Sequence, residues 1–177
     1  MTDEPGSPAV FFDRDGTLME DVDYCADPRD VRVFLGAREA LQRLKRAGFR
    51  VIIITNQSGI GRGYFNEEAY RAVHTELCRQ LGDDIVDASY HCPHAPDDRC
   101  ECRKPSPQMV IQAEREHHID VSRSYFVGDK ASDVECGRNA GLRTILLKTG
   151  YGDAQKCSAD WSADDLQAAT DIILRNA

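Results

Sequence analysis

The 177-residue chain has no long apolar run; none approaches the ~18 residues that a membrane-crossing helix needs. Its first eight residues, MTDEPGSP, have neither a basic end nor an apolar stretch. They read as a flexible tail rather than a signal peptide. Positive charge is also scarce: 22 Lys and Arg stand against 30 Asp and Glu, a net charge of -8. That argues against a general nucleic-acid binder or an anionic-membrane binder, both of which need a basic face. The cysteine count, seven, is not even. With no signal peptide, a reducing cytoplasm with free or metal-bound thiols fits better than a disulfide framework. There is no repeat and no long linker, so residues 9–177 are expected to form a single domain, and the chain to act as a monomer. The 41 % hydrophobic and 29 % charged residues place it among soluble globular proteins.

Short apolar runs alternate with helix-period stretches. AVFF (9–12) and RVIIIT (50–55) read as buried strands, SYFVGD and RTILLK as two more, and DIVDASY (84–90) as a weaker one. Ala40, Leu41 and Leu44 share one face of a helix over 37–47, stopped at Gly48. Asn66 can cap a helix running to about Leu81. Pro107 can open one reaching about His117, and Ser132 or Asp133 a short one ended by Gly141. A final helix is expected over 164–176. This alternation predicts an α/β fold: a doubly wound, mostly parallel sheet with helices on both faces. Ligands of such sheets bind beyond the carboxyl ends of the strands.

Three of those ends carry chemistry. DRDGT follows the first strand, TNQSGIGRG the second major one, and DKASD the SYFVG strand. One such end would pass as solvated loop; three in the same topological position point to a site. Asp13 and Asp15, two residues apart at a glycine turn, repel each other, and a divalent cation relieves that. Oxygen ligation with Asp129 suits Mg²⁺. Asp13 can then attack phosphorus and form an aspartyl-phosphate, while Asp15 protonates the leaving oxygen and later activates water. Thr55 and a lysine would hold the phosphoryl oxygens.

The segment CPHAPDDRCECRKP (92–105) is the second constellation. A disulfide knot, a catalytic metal site, a nucleic-acid ribbon and a loop clamp are the alternatives. Cys92, His94, Cys100 and Cys102 supply three thiolates and one imidazole, a closed tetrahedral set for structural Zn²⁺; His91 is the outside substitute. Cys25, Cys78, Cys136 and Cys157 are scattered and read as core or surface thiols. Arg103 and Lys104 directly follow Cys102, so pinning the loop would place Lys104 at the phosphate and aim Arg103 at the rest of the substrate.

DRDGT, ITNQSG, CRKP and GDK-x-x-D, in that order from Asp13 to Asp133, resemble the four motifs of the haloacid dehalogenase (HAD) superfamily of phosphatases. The resemblance implies a HAD-type Rossmann-like fold, Asp13 as nucleophile, Asp15 as acid and base, and Thr55 and Lys104 as phosphoryl stabilisers. It implies Mg²⁺ on Asp13, the Asp15 backbone carbonyl and Asp129, with Asp133 behind them. The cysteine loop with TNQSGIGRG is similar to the heptose-bisphosphate phosphatase branch, also called the histidinol-phosphate-phosphatase-like subfamily. That implies no large cap domain, since 13–55 is filled by a loop, a short strand and a helix. It also implies substrate contacts from Asp21, Val22, Asp23 and Tyr24, from Asn56, Gln57 and Ser58, and from Arg103 and Lys130. The substrate implied is D-glycero-D-manno-heptose 1,7-bisphosphate, losing its 7-phosphate. The five-residue spacer between His94 and Cys100 is similar to the histidinol-phosphatase type, which keeps histidinol phosphate as the alternative. A non-catalytic, zinc-scaffolded binding module would explain the cysteine loop but not the acid set.

Overall fold

In the computed structural model, which describes residues 6–177, the chain runs β1 (Ala9–Phe12), α1 (Ala37–Arg46), β2 (Arg50–Asn56), α2 (Ser58–Gly61), α3 (Glu67–Leu81), β3 (Ala88–Cys92), α4 (Gln108–His117), β4 (Tyr125–Gly128), α5 (Ala131–Asn139), β5 (Arg143–Leu147), β6 (Trp161–Ala163) and α6 (Leu166–Arg175). All four β1 residues are buried, and their side chains alternate: Val10 and Phe12 enter one apolar cluster, Ala9 and Phe11 the other. β2 repeats this, with Val51 and Ile53 on the first side and Ile52 and Ile54 on the second. A strand apolar on both faces has to be covered on both. Leu44 of α1, Leu77 of α3 and Ile173 of α6 cover the first face; Met109 of α4 and Cys136 of α5 cover the second.

The strands form one sheet in the order β3-β2-β1-β4-β5-β6, every neighbouring pair parallel. The chain winds outward from β1 to β3, then restarts at β4 on the other side of β1. The loops after β1, β2 and β4 therefore open together at the switch point, where such sheets bind ligands.

The helix starts follow their caps. Asn66 accepts the Ala69 N–H at 3.0 Å, and Asp133 accepts the Lys130 N–H at 3.0 Å, starting α5 at Ala131. The strand expected over 84–90 is shifted to Ala88–Cys92. Asp87 closes the turn before it: its N–H bonds to the Val51 carbonyl and its carboxylate takes the Val51 N–H, so ladder pairing begins at Ala88. As a result Cys92 ends an edge strand on the same side as the loops after β1, β2 and β4. Two elements were not expected, α2 and the three-residue β6. The final helix starts late because Asp165 caps it, accepting the Ala168 N–H at 2.8 Å. Between β1 and α1 the expected short strand is reduced to the isolated bridges Asp15–Met19 and Met19–Val33 and a 3₁₀ turn at Pro28–Asp30. No cap domain is inserted there. Of the expected tail over 1–8, residues 1–5 lie outside the described residues. Ser7 is tied down: its N–H donates to the His118 carbonyl and its own carbonyl accepts the Asp120 N–H, both at 3.0 Å. Among the described residues no helix is long and apolar enough to cross a membrane.

Candidate active site

Asp13 leaves the end of β1 almost wholly buried, its N–H tied to the Val127 carbonyl of β4 at 3.1 Å. The Lys104 ammonium meets it from the opposite loop, 2.7 Å from Asp13 Oδ1 and 2.7 Å from Asp133 Oδ1, while also donating to the Ile54 carbonyl at 2.9 Å. Burial alone would lower the Lys104 pKa; Asp13 and Asp133 outweigh it and raise the pKa well above the usual lysine value. Lys104 is therefore a fixed cation.

Asp129 completes the acid set. One oxygen each from Asp13, Asp129 and Asp133 lies within 4.8 Å of the others. Asp129 has no ammonium or guanidinium in contact among the described residues; it accepts from the Thr17 hydroxyl at 3.3 Å and the Tyr151 N–H at 2.9 Å. Burial, then the Asp13 charge, push it up to about 7. Gly16 and Gly150, both at positive φ, close around its carboxylate, where a Cβ on either would collide with Asp129 Oδ2. Asp133 is pushed up to about 6 by burial, against the pull of Lys104. Hard oxygen donors with excess negative charge fit Mg²⁺ at Asp13 and Asp129, with Asp133 turned to Lys104.

Asp15 points the other way. Arg14 grips it as a fork, Nε to Oδ2 at 2.9 Å and Nη2 to Oδ1 at 3.0 Å. Gln57 Nε2 donates both to Asp15 Oδ2 and to the Thr55 hydroxyl, each at 2.9 Å. Burial opposes ionisation of Asp15, but the Arg14 charge and the hydrogen bonds from Arg14 and Gln57 prevail and hold its pKa below the usual carboxylate value. Gln57, expected as a substrate contact, lines the larger of two cavities at the site while its amide binds Asp15, Thr55 and Arg14. Asn56 does much the same: its Oδ1 accepts the Lys104 N–H at 3.0 Å and its Nδ2 donates to the Lys104 carbonyl at 3.2 Å.

Two adjoining cavities share Asp15, Asn56 and Lys130. The smaller, about 40 Å³, is walled by Asp13, Thr55, Lys104, Ser132 and Asp133. The larger, about 310 Å³, is walled by Arg14, Asp21, Asp23, Tyr24, Ser58 and Tyr151, among others. Asp23 and Tyr24 hold positive φ values of 48° and 56°, a conformation that costs non-glycine residues. Lys130 spans the mouth, 3.4 Å from Asp21 and 5.1 Å above the Tyr151 ring. Val22 and Arg103, both expected at the substrate, line neither cavity; Arg103 Nη1 donates to the His94 carbonyl at 3.3 Å. Arg14, Ser132 and Tyr151 belong to the site and were not singled out from sequence. For Arg14 the signal was its place between two aspartates; Tyr151 offered none.

The four expected soft ligands converge. Cys92 Sγ lies 3.0 Å from Cys102 Sγ, 3.7 Å from Cys100 Sγ and 3.5 Å from His94 Nδ1, and all four ligand atoms fall within 4.8 Å of one another. All seven cysteines are free. A tetrahedron with Zn–S near 2.3 Å has edges of roughly 3.7 Å; Cys92–Cys100 meets that, Cys92–Cys102 at 3.0 Å is shorter, and both lie well beyond a disulfide's ~2.0 Å. Without metal, burial and Cys102 push the Cys92 thiol up to about 12, whereas hydrogen bonds, the Arg103 N–H first, outweigh the desolvation of Cys100 and hold its thiol below the usual value. The loop is docked on the site: the Gln57 N–H donates to the Cys92 carbonyl at 2.8 Å and the Gly61 N–H to the Pro93 carbonyl at 2.7 Å. A Cβ at Gly61 would sit 2.6 Å from Ala95 N, so glycine permits this contact.

Fold and site define a Rossmann-like α/β protein with an acidic, lysine-bearing site at the switch point of its parallel sheet. The haloacid dehalogenase-like hydrolase model matches residues 10–97, and a HAD-hydrolase-like model matches 101–172. The D-glycero-beta-D-manno-heptose-1,7-bisphosphate 7-phosphatase of Helicobacter pylori strain J99 is 40 % identical over 80 % of this chain and 83 % of its own. The D-glycero-alpha-D-manno-heptose-1,7-bisphosphate 7-phosphatase of Photorhabdus laumondii is also 40 % identical, over the same shares. The structure of the D,D-heptose 1,7-bisphosphate phosphatase of B. bronchiseptica, complexed with magnesium and phosphate, superimposes with a TM-score of 0.89. It is 34 % identical over 96 % of this chain and 99 % of its own. The chain belongs to the haloacid dehalogenase superfamily, in its heptose-bisphosphate phosphatase branch.

Proposed function

We propose that this single-domain protein is a Mg²⁺-dependent phosphatase that removes the 7-phosphate of D-glycero-D-manno-heptose 1,7-bisphosphate. The observation that carries this is the small cavity. Asp13, Asp15, Thr55 and Lys104 converge on a space of about 40 Å³, suited to a phosphoryl group, beside a space of about 310 Å³ for the sugar. Asp13, Asp129 and the Asp15 carbonyl would hold Mg²⁺, which when bound would supply the charge that lets an anionic carboxylate approach an anionic phosphate. Asp13 attacks phosphorus, the P–O bond to the sugar breaks, and Asp15 gives a proton to the departing oxygen. The incoming dianion raises the Asp15 pKa and so favours the protonated form. Water then attacks the aspartyl-phosphate, its proton passes to Asp15, and Asp13 is released as carboxylate with inorganic phosphate. Lys104 holds the transferring oxygens, and the zinc loop, together with Asn56, holds Lys104. Lys130, which lines both cavities, is the cation at hand for the distal phosphate; Arg103 lines neither and would reach it by turning away from the His94 carbonyl. Relatives named for either anomer are equally similar, so identity does not choose the anomer. Phosphorus NMR of the product from each anomer tests the reading: loss of the 7-phosphate signal with the 1-phosphate retained is expected. Faster turnover of histidinol phosphate than of either bisphosphate would overturn the substrate.

A further inference from the structure

The largest side chain buried below 2 % exposure is charged: Arg14, at 1 %. Taking a guanidinium out of water costs several kcal/mol unless its partners are well placed. Here the side-chain partners all serve one place. Two nitrogens hold both oxygens of Asp15, and Nη2 also donates to Gln57 Oε1 at 3.0 Å. Gln57 passes the constraint on, since the same amide whose oxygen is fixed by Arg14 donates through Nε2 to Asp15 and to Thr55. The guanidinium also lies 5.5 Å over the Tyr70 ring, which backs it from α3. Arg14 Nη1 is buried with no hydrogen-bond partner among the described residues, so the fork is aimed by its grip on Asp15 and Gln57. The backbone is anchored as well: the Arg14 carbonyl accepts the N–H groups of Thr17, Leu18 and Met19 at 3.3, 2.9 and 3.2 Å. Both ends of the residue are thus immobilised, and its one ion-pair partner among the described residues, Asp15, is a residue of the proposed reaction.

We propose that Arg14 is a positioning residue for phosphoryl transfer: its buried fork, relayed through Gln57, fixes the Asp15 carboxylate and the Thr55 hydroxyl against the reacting phosphate. This rests on the phosphatase reading above. Arg14 forms part of the wall of the larger cavity, but its hydrogen-bonding nitrogens are committed to Asp15 and Gln57, so it acts through Asp15. A planar fork can hold two oxygens and a neighbouring amide at once, which a lysine ammonium at the same depth cannot reproduce. The second chemical step should feel its loss most, because there Asp15 must receive a proton from a water whose position the protein alone defines.

The test uses p-nitrophenyl phosphate, whose leaving group departs without an acid, and compares wild type with Arg14→Met and Arg14→Lys. For Arg14→Met the expected result is a fall in kcat of about tenfold to a hundredfold with kcat/KM held within about threefold. A burst of one nitrophenolate per chain should precede the steady state. Arg14→Lys keeps the charge and most of the volume, so it covers the case in which Arg14→Met does not fold; it should show the same split between kcat and kcat/KM, smaller in size. Equal falls in kcat and kcat/KM without a burst in a folded Arg14→Lys protein would overturn the proposal, as would an unchanged kcat in both variants. Absence of turnover by wild type would instead sink the phosphatase reading, so the two failures are told apart.

Discussion

Replacing Lys104 by Met removes the one cation lodged between two buried carboxylates. Nζ lies 2.7 Å from both Asp13 and Asp133, with Lys104 4 % and Asp133 0 % exposed. Removing one member of a buried pair costs about 3–5 kcal/mol, because the charge left behind has no partner. Here two carboxylates are left facing Asp129 within a 4.8 Å cluster, so the upper part of that range applies. At about 2–4 °C per kcal/mol for a chain of this size, about 4–5 kcal/mol should lower Tm without added Mg²⁺ by roughly 8–20 °C. Because the Lys104 pKa is raised, its stabilisation is complete below the unfolded value and is lost only as pH rises through the folded one; the deficit should therefore be flat between neutral pH and pH 9 as far as Lys104 is concerned. The excess negative charge should also make Mg²⁺ raise Tm by more in the variant than in wild type. Adding Asp133→Asn should recover roughly 1–3 kcal/mol, the coupling expected of residues in direct contact. Thermal unfolding of the four proteins of this cycle is the assay. A Lys104→Met Tm within about 2 °C of wild type, or a double variant no more stable than the single one, would refute the ion-pair argument.

Asp129, pushed up to about 7, must lose a proton to take a cation, so apparent Mg²⁺ affinity should weaken about tenfold per unit as pH falls below 7 and level off above it, read by calorimetric titration. The same shift makes metal-free stability decline as pH rises from about 4 towards 7, since the folded state binds the extra proton there; Mg²⁺ should therefore raise Tm more at pH 8 than at pH 5.5. One zinc per chain is expected by metal analysis of protein purified without chelator, and Cys100→Ala should lower zinc content and cut kcat even at saturating Mg²⁺. Arg103→Ala should lose about tenfold to a hundredfold more kcat/KM on the heptose bisphosphate than on an aryl monophosphate, the worth of one charge-assisted contact to a second phosphate; equal losses would place it elsewhere.

What the sequence discloses is set by how local the information is. β1 and β4 are short buried runs directly followed by Asp13 and Asp129, and the apolar run of β2 leads into Thr55 near its end, so all three could be placed from local sequence. Asn66, Gly48 and Pro107 mark helix ends through backbone chemistry that needs no tertiary partner. β3 slipped because its start is decided by Asp87 binding Val51, 36 positions earlier in the chain. β6 is three residues long and exists because β5 offers it an edge. The Arg14–Gln57 relay spans 43 positions and was invisible for the same reason. Asn56 and Gln57, expected at the ligand, do line the larger cavity; that their amides also bind Lys104 and Asp15 is tertiary information the sequence does not carry.

The central claim is a covalent phosphoryl group on Asp13 during turnover. Acid-quenched protein, mixed for milliseconds with the heptose bisphosphate and Mg²⁺, should carry one phosphoryl group that peptide mass analysis maps to Asp13. Asp13→Asn should carry none and lose at least about 10³-fold in kcat, since an amide cannot serve as the nucleophile. Turnover by wild type with the phosphoryl group on another residue, or near-normal kcat in Asp13→Asn, would contradict the account.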